Sequence, residues 1–145
     1  MQILLTTTVK DNAKTVFAGF TRELFIALKP PLVPLKLLRF DGCKTGDEVH
    51  LSLGFNQHWV SVITQSGETD SGGIAFTDEG VKLPFFLTYW KHRHIIEPNT
   101  AGGSDIIDHI TYKSHLPVLE YLLYPVLKAQ FAARKPVYRR FFGMP

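Results

Sequence analysis

Hydrophobic and polar positions change their spacing three times along this chain. From Ile3 to Val9 they alternate loosely among threonines and other β-formers, which predicts a first strand. After Asp11, read as a helix cap, Val16, Phe17, Phe20, Leu24 and Leu28 recur as the buried stripe of one bent helix or two short ones. Pro30, Pro31 and Pro34 end that stripe and lead back into extended chain. From Lys36 to about Ser114, short extended runs are separated by turn residues, and strands are expected near 37–41, 48–55, 59–66, 73–79, 86–97 and 104–113. The helical period then returns. Pro117 opens a long amphipathic helix carrying Leu119, Leu122, Leu123, Val126, Leu127 and Phe131, with a kink expected at Pro125 and an end or second bend at Pro136.

Strand, one or two short helices, about six antiparallel strands and a long helix make an α+β fold. The last helix has an apolar face to cover, and a curved antiparallel sheet of about seven strands, wrapped around it, covers it. Residues 1–145 fit one domain.

Strand parity then assigns the faces. In 86–97 the charges fall on Lys91, Arg93 and Glu97, so Phe86, Thr88, Trp90, His92, His94 and Ile96 turn inward. By the same reasoning Ile106, Asp108, Ile110 and Tyr112 face inward from the next strand, Ile74, Phe76 and Asp78 from 73–79, and Val49, Leu51, Leu53 and Phe55 from 48–55. Ala75, Thr77 and Glu79 point the other way. The interior is thus greasy with one polar side. A lone buried carboxylate costs several kcal/mol, so Asp78 and Asp108 need partners, and His92 and His94 are the ones at hand.

Composition narrows the class. With 45% hydrophobic, 20% charged and 12% aromatic residues the chain is a globular one. The formal charge of +3 is too slight for a nucleic-acid partner without a clustered basic face. No run reaches the roughly 20 apolar residues of a membrane span, and the first residues lack the pattern of a secretory signal, so no stable membrane insertion is expected and the address is cytoplasmic. Cys43, the only cysteine, excludes an internal disulfide and reads as a turn residue rather than a nucleophile.

The element order, together with Arg39-Phe40-Asp41-Gly42, Gly46-Asp47-Glu48-Val49, Trp90-Lys91-His92-Arg93-His94 and Asp108-His109-Ile110-Thr111-Tyr112, resembles the SRPBCC superfamily. These are the START and pollen-allergen-like helix-grip proteins, and the likeness is nearest to bacterial members labelled polyketide cyclase or ligand-binding. It covers almost the whole chain. What it implies is a cavity between the sheet and the last helix, with members that bind lipids, sterols, polyketides or hormones and only some that are enzymes; fold alone does not fix function.

The expected function is binding of a small hydrophobic or amphipathic molecule. Phe55, Phe76, Trp90, Ile110, Leu123 and Leu127 are the expected walls, and His92, His94, Asp108, Asp78 and Tyr112 the polar anchors. One alternative is a cofactor-free enzyme of cyclase or dehydratase type with His92 or His94 as general acid or base. Another is a structural or interaction protein whose network only fixes strand register and whose side chains fill the cavity. His92 and His94 also have the spacing of a metal pair that a carboxylate would complete, but a two-histidine motif is a weak signal and no metal or cofactor is assigned on it. The segment Leu83-Pro84-Phe85-Phe86 is either a gate over the cavity or a turn with buried aromatics. Arg134, Lys135, Arg139 and Arg140 read as a solvated helix end, and the aromatics beside them pack on the sheet or form a homodimer contact.

Overall fold

The computed structural model describes residues 1–30 and 33–145. Pro31, expected among the residues that end the second helix, lies outside them. The chain builds β1 (Gln2–Val9), α1 (Ala13–Ala18), α2 (Arg22–Ala27), β2 (Lys36–Phe40), β3 (Glu48–Ser52), β4 (His58–Glu68), β5 (Ile74–Lys82), β6 (Tyr89–Pro98), β7 (Ser104–Lys113), α3 (Pro117–Ala132) and α4 (Lys135–Phe142). The strands form one antiparallel sheet in the order β1-β7-β6-β5-β4-β3-β2. The expected α+β helix-grip architecture is the one observed, with the short helices after the first strand and the helical C-terminal segment on the concave side.

Three local expectations are corrected. Asn12 rather than Asp11 caps α1, its side-chain oxygen accepting the Thr15 N–H at 3.0 Å, while Asp11 gives its own N–H to the Phe142 carbonyl at the end of the chain's last helix. The C-terminal helical segment breaks at Ala133 and Arg134 and not at Pro136, which lies in the first turn of α4, where a missing N–H costs nothing; Pro125 sits inside α3, as expected. The third concerns β3, which stops at Ser52. Gly54, Phe55 and Asn56 all take positive φ and reverse the chain, closed by the Leu53 N–H on the Gln57 carbonyl. Phe55 therefore leaves the strand before its parity counts; it is 97% exposed at the loop tip and is no wall.

The break between α3 and α4 lets two aromatic faces be buried in different directions. Leu127 and Phe131 of α3 pack with Ile3, Trp90, Ile110 and Tyr112. Tyr138 and Phe142 of α4 pack with Val9, Val16, Phe20, Ile96 and Ile106. Gly19 permits the second packing, since a Cβ there would collide with the Phe142 ring. The C-terminal aromatics thus fill this chain's own core, apart from the half-exposed Phe141.

Bulges keep the remaining strands in phase. β2 skips a residue at Leu38, so Leu37 and Phe40, an odd number apart, pair with the same-facing Leu51 and Val49. β4 skips at Thr64, so Ile63 opposes Asp78 while Ser66 opposes Phe76. Thr77 is on the outer face as expected but is buried there, in a shallow depression with Gln65 and Arg93.

Candidate functional site

β5, β6 and β7 are paired so that Asp78, His92 and Ile110 form one rung and Phe76, His94 and Asp108 the next. Two carboxylates and two imidazoles are thereby brought face to face on the concave side. The rings lie 3.7 Å apart between centroids, inclined at 36°. His92 Nε2 and Asp108 Oδ1 are 2.9 Å apart and hydrogen-bonded. His92 Nδ1 and His94 Nε2 both face one oxygen of Asp78, Oδ2, at 3.6 and 3.5 Å. Its other oxygen, Oδ1, accepts the Trp90 indole N–H at 3.3 Å. Tyr138 donates its hydroxyl to Asp108 Oδ1 at 3.4 Å, and His94 Nδ1 lies 3.4 Å from the same oxygen without hydrogen-bond geometry. Asp108, His92 and His94 are only 2–4% exposed.

Packing fixes the rings further. His94 is stacked on Phe76 at 4.4 Å and 12°, Phe131 meets His92 edge-on at 5.1 Å, and Trp90 is crossed by Trp59 at 4.7 Å.

Burial and the adjacent His94 push His92 down to about 4 against the opposing pull of Asp108, so near neutral pH its imidazole is uncharged. Burial works the other way on Asp108, but the hydrogen bond from His92, with the charges of the histidines and Arg134, outweighs it and holds the carboxyl at about 2. In Asp78 burial is likewise outweighed, by His94 and His92, and its carboxyl lies below the usual range.

Beside this cluster is a cavity of about 250 Å³. Its walls come from α2 and the chain after it (Leu24, Phe25, Leu28, Val33, Leu35), from β2 and β3 (Phe40, Val49, Leu51) with Leu53 just beyond, and from α3 (Leu123, Val126, Leu127). Its polar floor is Asp78, His92, His94, Ser61 and Arg134.

The expected site residues divide accordingly. Phe76, Asp78, Trp90, His92, His94, Leu123 and Leu127 line the cavity. Asp108 stands one layer behind, against the histidines. Ile110 and Tyr112 do not reach it: both are fully buried in the core beneath α3, and the Tyr112 hydroxyl donates to the Glu120 carbonyl at 2.7 Å. Inward parity thus held for both, while the cavity opens toward the far end of the sheet. Phe86 lines the cavity from the turn before β6, and its neighbour Phe85 is exposed. His58 and His115 are exposed, while His50 and His109 are half-buried and lie away from the cavity.

Two residues were not read from the sequence. Arg134 is no solvated end: its guanidinium stacks on Phe131 at 4.0 Å and it lines the cavity, with its Nε buried and lacking a hydrogen-bond partner among the described residues. Its spacing of seven from Leu127 and three from Phe131 was the available signal. Cys43 also borders the cavity. Burial pushes its thiol up to about 12, with Asp47 and Asp78 adding to the effect, so it is no thiolate nucleophile at neutral pH.

No family model matches the chain, and no curated protein does. Solved structures do. A nucleoside-diphosphate sugar epimerase from Corynebacterium glutamicum superposes with a TM-score of 0.71 over 94% of this chain at 24% identity, and this chain spans only 28% of that protein's length. The Zhui aromatase/cyclase from Streptomyces sp. R1128 gives 0.70 at 12% identity, covering 95% of this chain and 90% of that one. Norcoclaurine synthase from Thalictrum flavum, solved with dopamine and hydroxybenzaldehyde, gives 0.67 at 11% identity over 97% and 84%. Among the described residues no helix is long and apolar enough to cross a membrane. The cyclase and the synthase superpose over nearly the whole of this chain, and the chain has the helix-grip fold.

Proposed function

We propose that the chain binds a small amphipathic molecule in the cavity, apolar body against the β3 and α3 walls and polar end toward the floor. The observation that carries this is the contrast within one space: aliphatic and aromatic side chains on most sides, with Thr21, Lys29 and Gln130 among them, and a polar floor that holds Asp78, His92, His94 and Arg134. Arg134 supports a ligand whose polar end accepts hydrogen bonds, since its buried Nε has a donor to offer. The volume supports a compact ligand. A dry cavity of roughly 150 Å³ holds benzene, so about 250 Å³ suits one or two rings better than a sterol or a long acyl chain.

The test is native mass spectrometry of protein purified from its own host, with organic extraction of what copurifies. It is run beside His92→Ala with His94→Ala and beside Leu53→Trp, which fills the space. A compact amphipathic molecule present in the parent and lost from both variants is the expected result. An empty protein that also fails to retain one- and two-ring aromatic acids or phenols, followed by Trp59 and Trp90 fluorescence, would move the function to the self-filled structural reading.

A second reading is favoured by one pair. His92, uncharged and oriented by Asp108, has the arrangement of a general base and its positioning carboxylate. Turnover of the bound molecule, lost in His92→Gln while binding persists, would establish it.

A further inference from the structure

We propose that Asp78, His92 and His94 form a binding site for one divalent transition-metal ion, zinc by donor type, at the floor of the cavity. The inference goes beyond the ligand reading and does not depend on it, because the ion would be held by protein side chains alone.

The placing of the donor atoms points to it first. Four imidazole nitrogens each face a carboxylate oxygen at 2.9 to 3.6 Å, and the shortest of these contacts, His92 Nε2 to Asp108, is a hydrogen bond. The 2.9 Å bond assigns the His92 hydrogen to Nε2, facing Asp108. His94 Nδ1 is buried 3.4 Å from the same Asp108 oxygen and has no hydrogen-bond partner among the described residues. The other two nitrogens, His92 Nδ1 and His94 Nε2, both face Asp78 Oδ2.

The spacing fits an ion there. Donors about 2.0–2.1 Å from a tetrahedral zinc lie roughly 3.3–3.4 Å from each other, and Oδ2 is 3.6 and 3.5 Å from the two nitrogens. One ligating atom from each of the three residues lies within 4.8 Å of the others. The surroundings are those of a metal site as well. His92 hydrogen-bonds its second nitrogen to a carboxylate, Asp108, which is what holds a ligating imidazole in its tautomer, and the second nitrogen of His94 lies 3.4 Å from the same oxygen. Trp90 occupies Asp78 Oδ1 and leaves Oδ2 as the single ligating oxygen. All three ligands line the cavity, so a fourth position would open into it for water or a ligand oxygen.

Chelator-stripped protein titrated with Zn²⁺ by calorimetry, and with Co²⁺ by its visible absorption, should take up one ion per chain. Asp78→Asn and His94→Ala should each weaken uptake by about 100-fold or more, and Asp108→Asn by roughly 10–100-fold through ring orientation. His50→Ala, which removes a half-buried imidazole paired with Glu48 at 2.6 Å, should leave it unchanged. Histidine ¹⁵N spectra of the parent protein provide a readout independent of variant folding. Zn²⁺ should shift His92 Nδ1 and His94 Nε2, with the ring hydrogens of the bound form on His92 Nε2 and His94 Nδ1. Absence of stoichiometric uptake, uptake that survives both Asp78→Asn and His94→Ala, or unshifted rings would overturn the site. Loss of the organic ligand with metal uptake intact would instead count against the ligand reading alone.

Discussion

The two ends of this sheet have the same kind of inner face and different fates. At the β1-β7-β6 end, Ile3, Ile106, Ile110, Tyr112 and Ile96 are sealed beneath α3 and α4. At the β2-β3-β4 end, Phe40, Leu51 and Leu53 are just as apolar and face open cavity. The difference lies in what covers each end. Tyr138, Phe142, Leu127 and Phe131 are large enough to fill the first space, whereas α2 and the chain after it stand off the second as a rim. Hydrophobicity alone therefore does not distinguish a core position from a binding wall. The polar cluster sits on the seam, with Asp108 on the sealed side and Asp78 on the open one.

The strongest way to break the comparison is at that seam. Asp108→Ala strands the buried His92 and Tyr138 donors, and should cost roughly 3–5 kcal/mol in denaturant unfolding; a loss under about 1 kcal/mol would mean that the sealed side does not depend on its charge. Next come matched truncations. Ile106→Ala should cost about 2–5 kcal/mol, and Leu51→Ala, already beside empty space, under about 1 kcal/mol while lowering ligand affinity. Equal costs would erase the distinction between the two ends.

A pH series on the chelator-treated protein sharpens it. Because the His92 value is depressed in the folded state, the unfolded chain takes up that proton first as pH falls. Stability should be full above about pH 6.5 and decline toward pH 4 by on the order of 2–3 kcal/mol. His92→Gln should flatten that decline. Tyr138→Phe, which loses one 3.4 Å hydrogen bond, should cost about 1 kcal/mol in the same assay. The smallest effect is at Cys43: with its thiol near 12 it should resist alkylation at pH 8 in the folded protein and react on unfolding, as followed by mass.

Strand parity made the sealed end legible. The alternation of charge with Trp90, His92 and His94 located the inner face, and the parity of β7 brought Asp108 to it. The cavity was harder to read, since its position depends on absences: Phe55 lost its role to a run of positive φ that parity ignores, and Tyr112 and Ile110 proved to be covered. Arg134 was obscured by its company of charged neighbours. Its place on the Leu127 and Phe131 face becomes decisive only once the break after Ala132 is known.

The pairing of β1 with β7, from Gln2 with Thr111 to Val9 with Ser104, also sets a timetable. During synthesis, at roughly 5–20 residues per second, the first strand made waits several seconds for a partner that is the last strand made. Contacts of such long sequence separation form slowly. Order of manufacture and order of assembly are thus opposed, and the cavity, walled in part by α3, cannot be complete until the segment after β7 has been made.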